Sequence, residues 1–136
     1  MLEQEAVNMN WEDKVILIVE DEEINYLYIE TLLQKTGAQV MHAWNGQQAI
    51  DIVKDNPSLD LVLMDIKMPI MDGYRATEYI KQFRPGLPVI AQTAYTLGDD
   101  KLKCLDAGCD DYVSKPIRRN ILYEIITNQF SKSVKS

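Results

Sequence analysis

The sequence predicts an α/β domain in which a parallel sheet carries helices on both faces. Short apolar runs that read as buried strands alternate five times with amphipathic stretches of helical periodicity. The 136 residues, of which 46% are hydrophobic and 26% charged, suffice for one domain with one sizeable core. This alternation is typical of parallel strands joined by right-handed helical crossovers.

Each predicted strand is a short run rich in apolar and β-branched residues. The first and third contain the runs VILIV and LVLM, whose unbroken apolar character is expected of strands buried on both faces. The predicted strands are 15–19, 39–43, 59–64, 88–92 and 112–114.

The predicted helices lie between the strands and end at glycine or proline. They are 23–36, 45–55, 74–83, 99–107 and 119–130. The first helix has on one face Tyr28, Ile29, Leu32 and Leu33. Gly37 fits the C-terminal stop of that helix, Pro57 and Pro85 follow the second and third, and Gly108 follows the fourth.

Composition limits the function classes and suggests the domain boundaries. Residues 1–13 and 131–136 lack periodicity, so we expect an N-terminal tail or linker, a domain over 14–130 and a C-terminal tail. The net charge of −7 argues against nucleic acid as a main partner, and no apolar run is long enough to span a membrane. Cys104 and Cys109 lack metal-ligand spacing, and we expect buried, reduced thiols in a cytoplasmic protein.

Polar residues gather where the predicted strands end. The first strand is followed by Glu20 and Asp21, the third by Asp65, the fourth by Thr93 and the fifth by Lys115. Because parallel strands present their carboxyl ends at one edge of the sheet, these side chains are expected to converge there.

Each of these residues also has an ordinary structural interpretation. Asp21 could cap the helix that begins at residue 23, and Asp65 could stabilise a turn through hydrogen bonds to the nearby backbone. Thr93 could satisfy backbone groups, and Lys115 could be a solvated loop residue. If every one of these residues had only its ordinary role, their gathering at one edge would be a coincidence. A shared functional site at that edge is therefore favoured.

Clustered carboxylates repel each other unless a cation offsets their charge. Two carboxylates with water suit octahedral Mg²⁺, and Mn²⁺ has similar preferences. Lys115 would add a second positive charge. Asp65 would then be poised as a nucleophile toward phosphorus, with metal and ammonium neutralising the transferring phosphoryl oxygens.

The sequence closely resembles the receiver domain of two-component response regulators. Four ordered motifs carry the resemblance, and it runs from about residue 14 to 130: VILIVEDEE (15–23), LVLMDIKMPIMDGY (61–74), PVIAQTA (88–94) and AGCDDYVSKP (107–116). The resemblance implies a flavodoxin-like (βα)5 fold with strand order 2-1-3-4-5. The segment MDIKMPIMDGYRAT is most similar to the corresponding segment of receivers attached to hybrid histidine kinases.

The resemblance implies a phosphoacceptor site. Asp65 would accept a phosphoryl group from a phosphohistidine on a histidine kinase or a histidine phosphotransfer domain. Asp21 and Asp65 would bind Mg²⁺ directly, Glu20 through water, and Lys67 through its backbone carbonyl. A further pair would bind the phosphoryl oxygens, namely Thr93 and Lys115.

The resemblance also implies a switch. Thr93 would move toward the phosphoryl group, and Tyr112 would turn inward behind it. Pro116 would follow a cis peptide bond with Lys115. The face made by the fourth helix, the fifth strand and the fifth helix would be remodelled, and a weak dimer through this face is expected.

Two departures from the family pattern suggest tuning of the site. Ile24, Leu27 and Thr31 form a second stripe on the first helix, which is either a wide buried face, tolerated surface residues or a docking surface for a phosphodonor. Lys67 and Tyr95 lie two residues after Asp65 and Thr93, where they either point to solvent or hinder hydrolytic water and prolong the phosphoaspartate.

Several functions remain open from the sequence alone. We favour a receiver excised from a hybrid histidine kinase whose parent chain is membrane-anchored, with a free-standing single-domain regulator as the alternative. Its only chemistry would be self-phosphorylation and slow hydrolysis. A Mg²⁺-dependent aspartyl phosphohydrolase is disfavoured because Lys67 stands where its general acid would be. The acidic loop at 20–23 disfavours a flavodoxin-like cofactor binder, and the intact site disfavours a degenerate receiver.

Overall fold

The computed structural model describes residues 9–67, 71–94 and 98–134, in which five parallel strands alternate with five helices. The elements are β1 (Val15–Val19), α1 (Glu23–Gln34), β2 (Gln39–Ala43), α2 (Gly46–Asp55), β3 (Leu61–Asp65), α3 (Gly73–Phe83), β4 (Val89–Thr93), α4 (Gly98–Ala107), β5 (Asp111–Ser114) and α5 (Arg119–Val134). The sheet order is β2-β1-β3-β4-β5 with every neighbouring pair parallel. This confirms the predicted α/β fold and strand order.

The sheet separates two apolar layers, because successive side chains along a strand point to opposite faces. On one face Ile16 and Ile18 of β1 pack with α1 and α5, and on the other Leu17 and Val19 pack with α2 and α3. Every residue of β3 is buried. The central strand is therefore covered on both sides, as its unbroken apolar run predicts.

The helix ends follow their local sequence. Asn45 accepts a hydrogen bond from the Gln48 amide at the start of α2, and Asp72 caps α3 through the Arg75 amide. Gly37 has φ 88°, a left-handed conformation that favours glycine, so it provides the predicted stop after α1.

Some predicted boundaries differ from the structure. Both β3 and β4 end one residue later than predicted, so Asp65 and Thr93 are the last residues of their strands. The last helix continues through Val134, although residues 131–136 were expected to form a tail. Tyr28 is not a core residue: it is partly exposed, and its hydroxyl donates to the Ile117 carbonyl at 2.7 Å.

The segment before β1 packs on the domain instead of forming a free tail up to residue 13. Trp11 is buried, and its ring packs edge-on against Tyr123 and Phe130 of α5 at centroid distances of 6.1 and 5.3 Å. The Trp11 amide also donates to the Thr36 carbonyl at 2.9 Å. The core therefore begins earlier in the chain than its periodicity indicates.

The cysteines and the hydropathy of the helices agree with the sequence analysis. Cys104 and Cys109 are both buried, and no disulfide joins them. Burial raises the pKa of Cys109 to about 12, so this thiol stays protonated. Across the three described ranges, no helix combines the length and apolar character needed to cross a membrane.

Candidate active site

Three carboxylates meet at the carboxyl-terminal edge of the sheet. Glu20 follows β1 and is fully buried, Asp65 ends β3 and is only 2% exposed, and Asp21 is exposed beside them. One oxygen from each of the three lies within 4.8 Å of the others. The strand ends therefore bring together the acidic residues that the sequence indicates.

Lys115 faces two of these carboxylates. Its ammonium nitrogen Nζ lies 3.2 Å from Asp65 Oδ1 and 3.6 Å from Glu20 Oε1. The Lys115 amide donates to the carbonyl of Thr93 at 2.7 Å, which fixes the backbone beside the end of β4. The Lys115–Pro116 peptide bond is cis, as the family resemblance implies. The Lys115 ammonium therefore faces the acidic cluster and is not that of a freely solvated loop lysine.

Hydrogen bonds hold the Glu20 side chain in place. Its Oε2 accepts from the Glu22 amide at 3.2 Å, and its Oε1 accepts from the Asn25 side-chain amide. Asn25 lies in the first turn of α1 and was not assigned a role from the sequence. The N-cap of α1 is Glu22, without a side-chain capping bond, so the capping interpretation of Asp21 is wrong.

The electrostatics of Asp65 reflect crowding of negative charge. Burial and the neighbouring Glu20 carboxylate raise the pKa of Asp65 to about 7, although Lys115 acts in the opposite direction. Burial lowers the pKa of Lys115, but the Asp65 and Glu20 carboxylates outweigh that effect, and its pKa lies above the ordinary value. The site thus holds more negative charge than one ammonium offsets.

Thr93 ends β4 with its hydroxyl buried. Among the residues that the structure describes, the Thr93 Oγ1 has no hydrogen-bond partner. A buried hydroxyl without a partner is costly, so within the described ranges the Thr93 hydroxyl has unused hydrogen-bonding capacity at the end of β4.

The first residue of α3 lies close to the backbone of Asp65. A Cβ atom at Gly73 would lie 2.3 Å from the Asp65 carbonyl oxygen and 2.9 Å from the Ile66 Cα. The Gly73 amide donates to the Ile66 carbonyl at 3.0 Å, and the Lys67 amide donates to Asp65 Oδ1 at 3.3 Å. Glycine at this position therefore lets the start of α3 approach the end of β3.

The remaining predicted residues lie around the site. Tyr112 is half-buried on β5, and the Lys67 side chain is exposed next to Asp65. On α1, Ile24 is 84% exposed, Leu27 is 47% exposed, and Thr31 is exposed. The stripe is therefore not a buried face. Tyr95 lies outside the described residues.

A histidine in the neighbouring strand also reaches the site, and sequence reasoning missed it. His42 Nε2 lies 2.9 Å from the backbone carbonyl oxygen of Glu20. The chain contains one histidine, in a short edge strand, and the sequence carries no spacing signal that connects it to residue 20.

Comparison with known proteins identifies the family. Residues 16–127 match the response regulator receiver domain family. The chain belongs to this family. It is thus a receiver domain of the kind that two-component and phosphorelay systems use.

Individual relatives agree with this assignment. An alignment 128 positions long, which covers 88% of this chain, shows 41% identity to hybrid signal transduction histidine kinase I of Dictyostelium discoideum and spans 7% of that protein. The receiver of a Pseudomonas aeruginosa PAO1 sensor histidine kinase, solved with magnesium in its active-site cleft, is 36% identical with a TM-score of 0.81, covering 87% of this chain and 98% of that one.

A third relative was solved together with a partner. The receiver of Saccharomyces cerevisiae Ssk1, crystallised with the histidine phosphotransfer protein Ypd1, is 32% identical with a TM-score of 0.80, covering 85% of this chain and 87% of that one. Curated kinases similar to this receiver are much longer, and the chain spans 7% to 13% of their length.

Proposed function

We propose that this receiver accepts a phosphoryl group on Asp65 from a phosphohistidine of a partner protein. The observation that carries the proposal is the convergence of one oxygen each from Glu20, Asp21 and Asp65 within 4.8 Å, with the Lys115 ammonium 3.2 Å from Asp65. No single residue type gives this arrangement, and it matches the needs of phosphoryl transfer to a carboxylate.

The residues present fit a divalent cation. Asp21 and Asp65 would bind Mg²⁺ or Mn²⁺ with their carboxylates, Glu20 through water, and Lys67 through its backbone carbonyl. Burial, and after it repulsion from the Glu20 carboxylate, raises the pKa of Asp65 to about 7, and a cation would relieve the repulsion. When bound, the cation supplies positive charge beside the transferring phosphoryl oxygens.

The protein groups then have separate roles in the transfer. An Asp65 oxygen forms a bond to phosphorus while the P–N bond to the partner's histidine breaks, and the electron pair stays on the imidazole nitrogen. Lys115 neutralises oxygens of the phosphoryl group from the opposite side, and the Thr93 hydroxyl donates to one of them. The burial of Asp65 and Glu20 keeps bulk water from the acceptor oxygen.

The same contacts support a conformational switch. Because the buried Thr93 hydroxyl lacks a partner among the described residues, a phosphoryl oxygen at Asp65 would draw it inward. Tyr112 is half-buried on β5, where it would follow Thr93 and remodel the face made by α4, β5 and α5. Exposed Leu102 and Leu105 on α4 would support the weak dimer expected through this face.

Acetyl phosphate with Mg²⁺ tests the phosphoacceptor directly. We expect intact-mass analysis to find one added phosphoryl group, labile to base and absent in Asp65→Asn. Thr93→Ala should fold normally and label more slowly, because it keeps the acceptor and loses one phosphoryl ligand. Unchanged labelling of Asp65→Asn would refute the assignment of the acceptor.

We also propose that the partner docks on α1 beside the site through Ile24, Leu27 and Thr31. The large exposed fractions of Ile24 and Leu27 support this surface, since such apolar exposure is typical of a binding face. A histidine phosphotransfer domain or kinase helix with an apolar face would fit it.

Leu27→Glu tests docking separately from chemistry. Phosphotransfer from a phosphorylated histidine phosphotransfer protein should slow by at least about tenfold, since a charge would enter an apolar contact, while labelling by acetyl phosphate stays unchanged. Tyr79→Glu is the matched control, because Tyr79 is similarly exposed but lies on α3, on the other side of the sheet. An equal loss with both phosphodonors would contradict docking at α1.

Lys67 and Tyr95 are proposed to prolong the life of the phosphoaspartate by hindering hydrolytic water. The exposed Lys67 side chain beside Asp65 supports a role at the mouth of the site. Lys67→Ala and Tyr95→Ala should shorten the half-life of the phosphorylated protein in Mg²⁺ buffer. Unchanged half-lives would exclude both residues from this role.

The parent protein is proposed to be a hybrid histidine kinase, with a free-standing regulator as the alternative. Similarity to a long hybrid kinase supports the first. The gene sequence on either side of these residues decides between them: a kinase core encoded upstream supports the hybrid, and stop signals on both sides contradict it.

A further inference from the structure

A side chain of the edge strand closes the backbone hydrogen bonding at the end of β1. The ladder between β1 and β2 ends with the Glu20 amide donating to the Ala43 carbonyl at 2.9 Å, and the chain then turns into α2, which Asn45 caps. The backbone of β2 therefore does not continue alongside Glu20. His42 Nε2, 2.9 Å from the Glu20 carbonyl oxygen, supplies a donor there.

The direction of this hydrogen bond follows from the acceptor. A carbonyl oxygen can only accept, so Nε2 must carry the hydrogen whether the imidazole is neutral or charged. The bond therefore does not depend on the charge of the ring, and a neutral amide could replace the donor.

Two aromatic rings hold the imidazole. Tyr26 stacks on His42 with ring centroids 3.7 Å apart and planes 6° from parallel, and Trp44 packs against it at 4.2 Å. The Tyr26 hydroxyl donates to Glu30 Oε2 at 2.7 Å, which fixes the stacking ring on α1. Tyr26 of α1 thus bridges the Glu30 side chain and the His42 ring of β2.

The anchored carbonyl matters because it belongs to the peptide group that joins Glu20 to Asp21. A peptide group is planar, so holding its oxygen also sets the direction in which the chain enters Asp21. The Glu20 carboxylate has its own anchors in Glu22 and Asn25, whereas the exposed Asp21 has no capping contact. The position of the Asp21 carboxylate therefore depends mainly on its backbone.

We propose that His42 is a positioning residue for the divalent-cation site, fixing the Glu20–Asp21 peptide group through its Nε2–H while Tyr26 holds the ring. This inference rests on the proposed function of the acidic cluster. Ligands arranged before binding lose less freedom when the ion arrives, so removing the anchor weakens cation affinity without removing a ligand.

Mg²⁺ titration of the ¹⁵N-labelled protein, followed by amide NMR shifts, measures affinity without any phosphoryl chemistry. His42→Phe keeps a ring for stacking and loses the donor, and we expect its Mg²⁺ affinity to fall about 3- to 10-fold. His42→Gln keeps an N–H donor and should recover part of that loss. Tyr26→Leu, which keeps the donor and loses the stack, should give a smaller decrease.

Tyr123→Phe is the matched control. It also removes one donor to a backbone carbonyl, that of Leu32 at 2.6 Å, but within the core and away from the acidic cluster. We expect it to lower thermal stability and leave Mg²⁺ affinity unchanged. An equal loss of affinity in Tyr123→Phe and His42→Phe would attribute the effect to stability and overturn the inference.

The remaining outcomes separate this inference from the function on which it rests. Wild-type Mg²⁺ affinity in His42→Phe would overturn the role of His42 and leave the phosphoacceptor intact. A wild-type protein without Mg²⁺-dependent shifts at residues 20, 21 and 65 would overturn the proposed site itself. Should His42→Phe not fold, Tyr26→Leu decides, because loss of the stacked ring should lower Mg²⁺ affinity and wild-type affinity there would reject the proposal.

Discussion

The two edges of the sheet differ in whether their polar groups have hydrogen-bond partners. At the amino-terminal edge, Asp60 and Asp110 accept from the first amides of β1 and β4, Val15 and Val89, both at 2.8 Å. At the carboxyl-terminal edge, acidic groups crowd together and the Thr93 hydroxyl lacks a partner within the described ranges. At one edge the acidic side chains satisfy backbone amides, and at the other, within the described residues, polar groups are left crowded or unsatisfied.

Arg84 satisfies further backbone carbonyls at the amino-terminal edge of the sheet. Its guanidinium donates to the carbonyls of Asn56, Pro57 and Leu59 at 3.0, 3.2 and 2.7 Å. These carbonyls belong to the loop between α2 and β3. A planar group with several fixed donors suits this arrangement better than an ammonium does.

The largest expected effect therefore comes from the amino-terminal edge. Arg84→Ala should lower the free energy of unfolding by about 2–3 kcal/mol, because three carbonyls lose a charged donor. Urea unfolding measures this loss. The free energy of unfolding of Arg84→Lys should lie between those of Arg84→Ala and the wild type. Mg²⁺-dependent labelling by acetyl phosphate should persist in the folded fraction of both variants. If a fully folded Arg84 variant lost labelling, the two edges of the sheet would not act independently.

The second effect concerns the charge on Asp65 and depends on pH. The pKa of Asp65 in the folded chain, about 7, lies above the value of about 4 expected in an unfolded chain. The folded state therefore holds this proton more tightly. The resulting stability is complete below about pH 4 and is lost as the pH rises through about 7.

Asp65→Asn should accordingly be more stable than the wild type at about pH 8, by on the order of 1 kcal/mol, and similar to it near pH 4. Thermal unfolding at both pH values measures the difference. Mg²⁺ should narrow it at the higher pH, since the cation offsets the same repulsion. A mutant that is less stable than the wild type at pH 8 would contradict this account of the site.

The smallest expected effect concerns Gln92, which lies opposite Asp65 in the β3–β4 register. Both amide atoms of this buried side chain lack hydrogen-bond partners in the part of the chain that the structure describes. Gln92→Leu should raise the free energy of unfolding by about 1 kcal/mol, because an unsatisfied amide becomes apolar. Chemical denaturation checks this, with Gln92→Glu as the destabilised control; a less stable Gln92→Leu would show that the amide is satisfied.

The sequence predicts the features that depend on periodicity and strand ends. Glu20, Asp65, Thr93 and Lys115 converge because each follows or ends a strand of one parallel sheet, and strand ends can be recognised where apolar runs stop. The positive φ of Gly37 follows from its location after a helical stretch. Local patterns are enough for these features.

Contacts between distant segments could not be predicted in the same way. His42 of β2 meets the Glu20 carbonyl just beyond the adjacent strand β1, and the Tyr28 hydroxyl donates to the Ile117 carbonyl in the loop between β5 and α5. The length of α5 was underestimated because its last turn lacks an apolar pattern. These features depend on tertiary neighbours, which a single sequence does not reveal.

The buried indole of Trp11 has a practical consequence for anyone who trims or fuses this protein. A chain cut at the family boundary, residue 16, would leave Tyr123 and Phe130 without a shared aromatic neighbour. Because both rings belong to α5, any polypeptide spliced onto this end is joined through residue 11 to that helix, which forms part of the proposed switch face. Tension on the attached segment, or its rotation, would therefore act on α5.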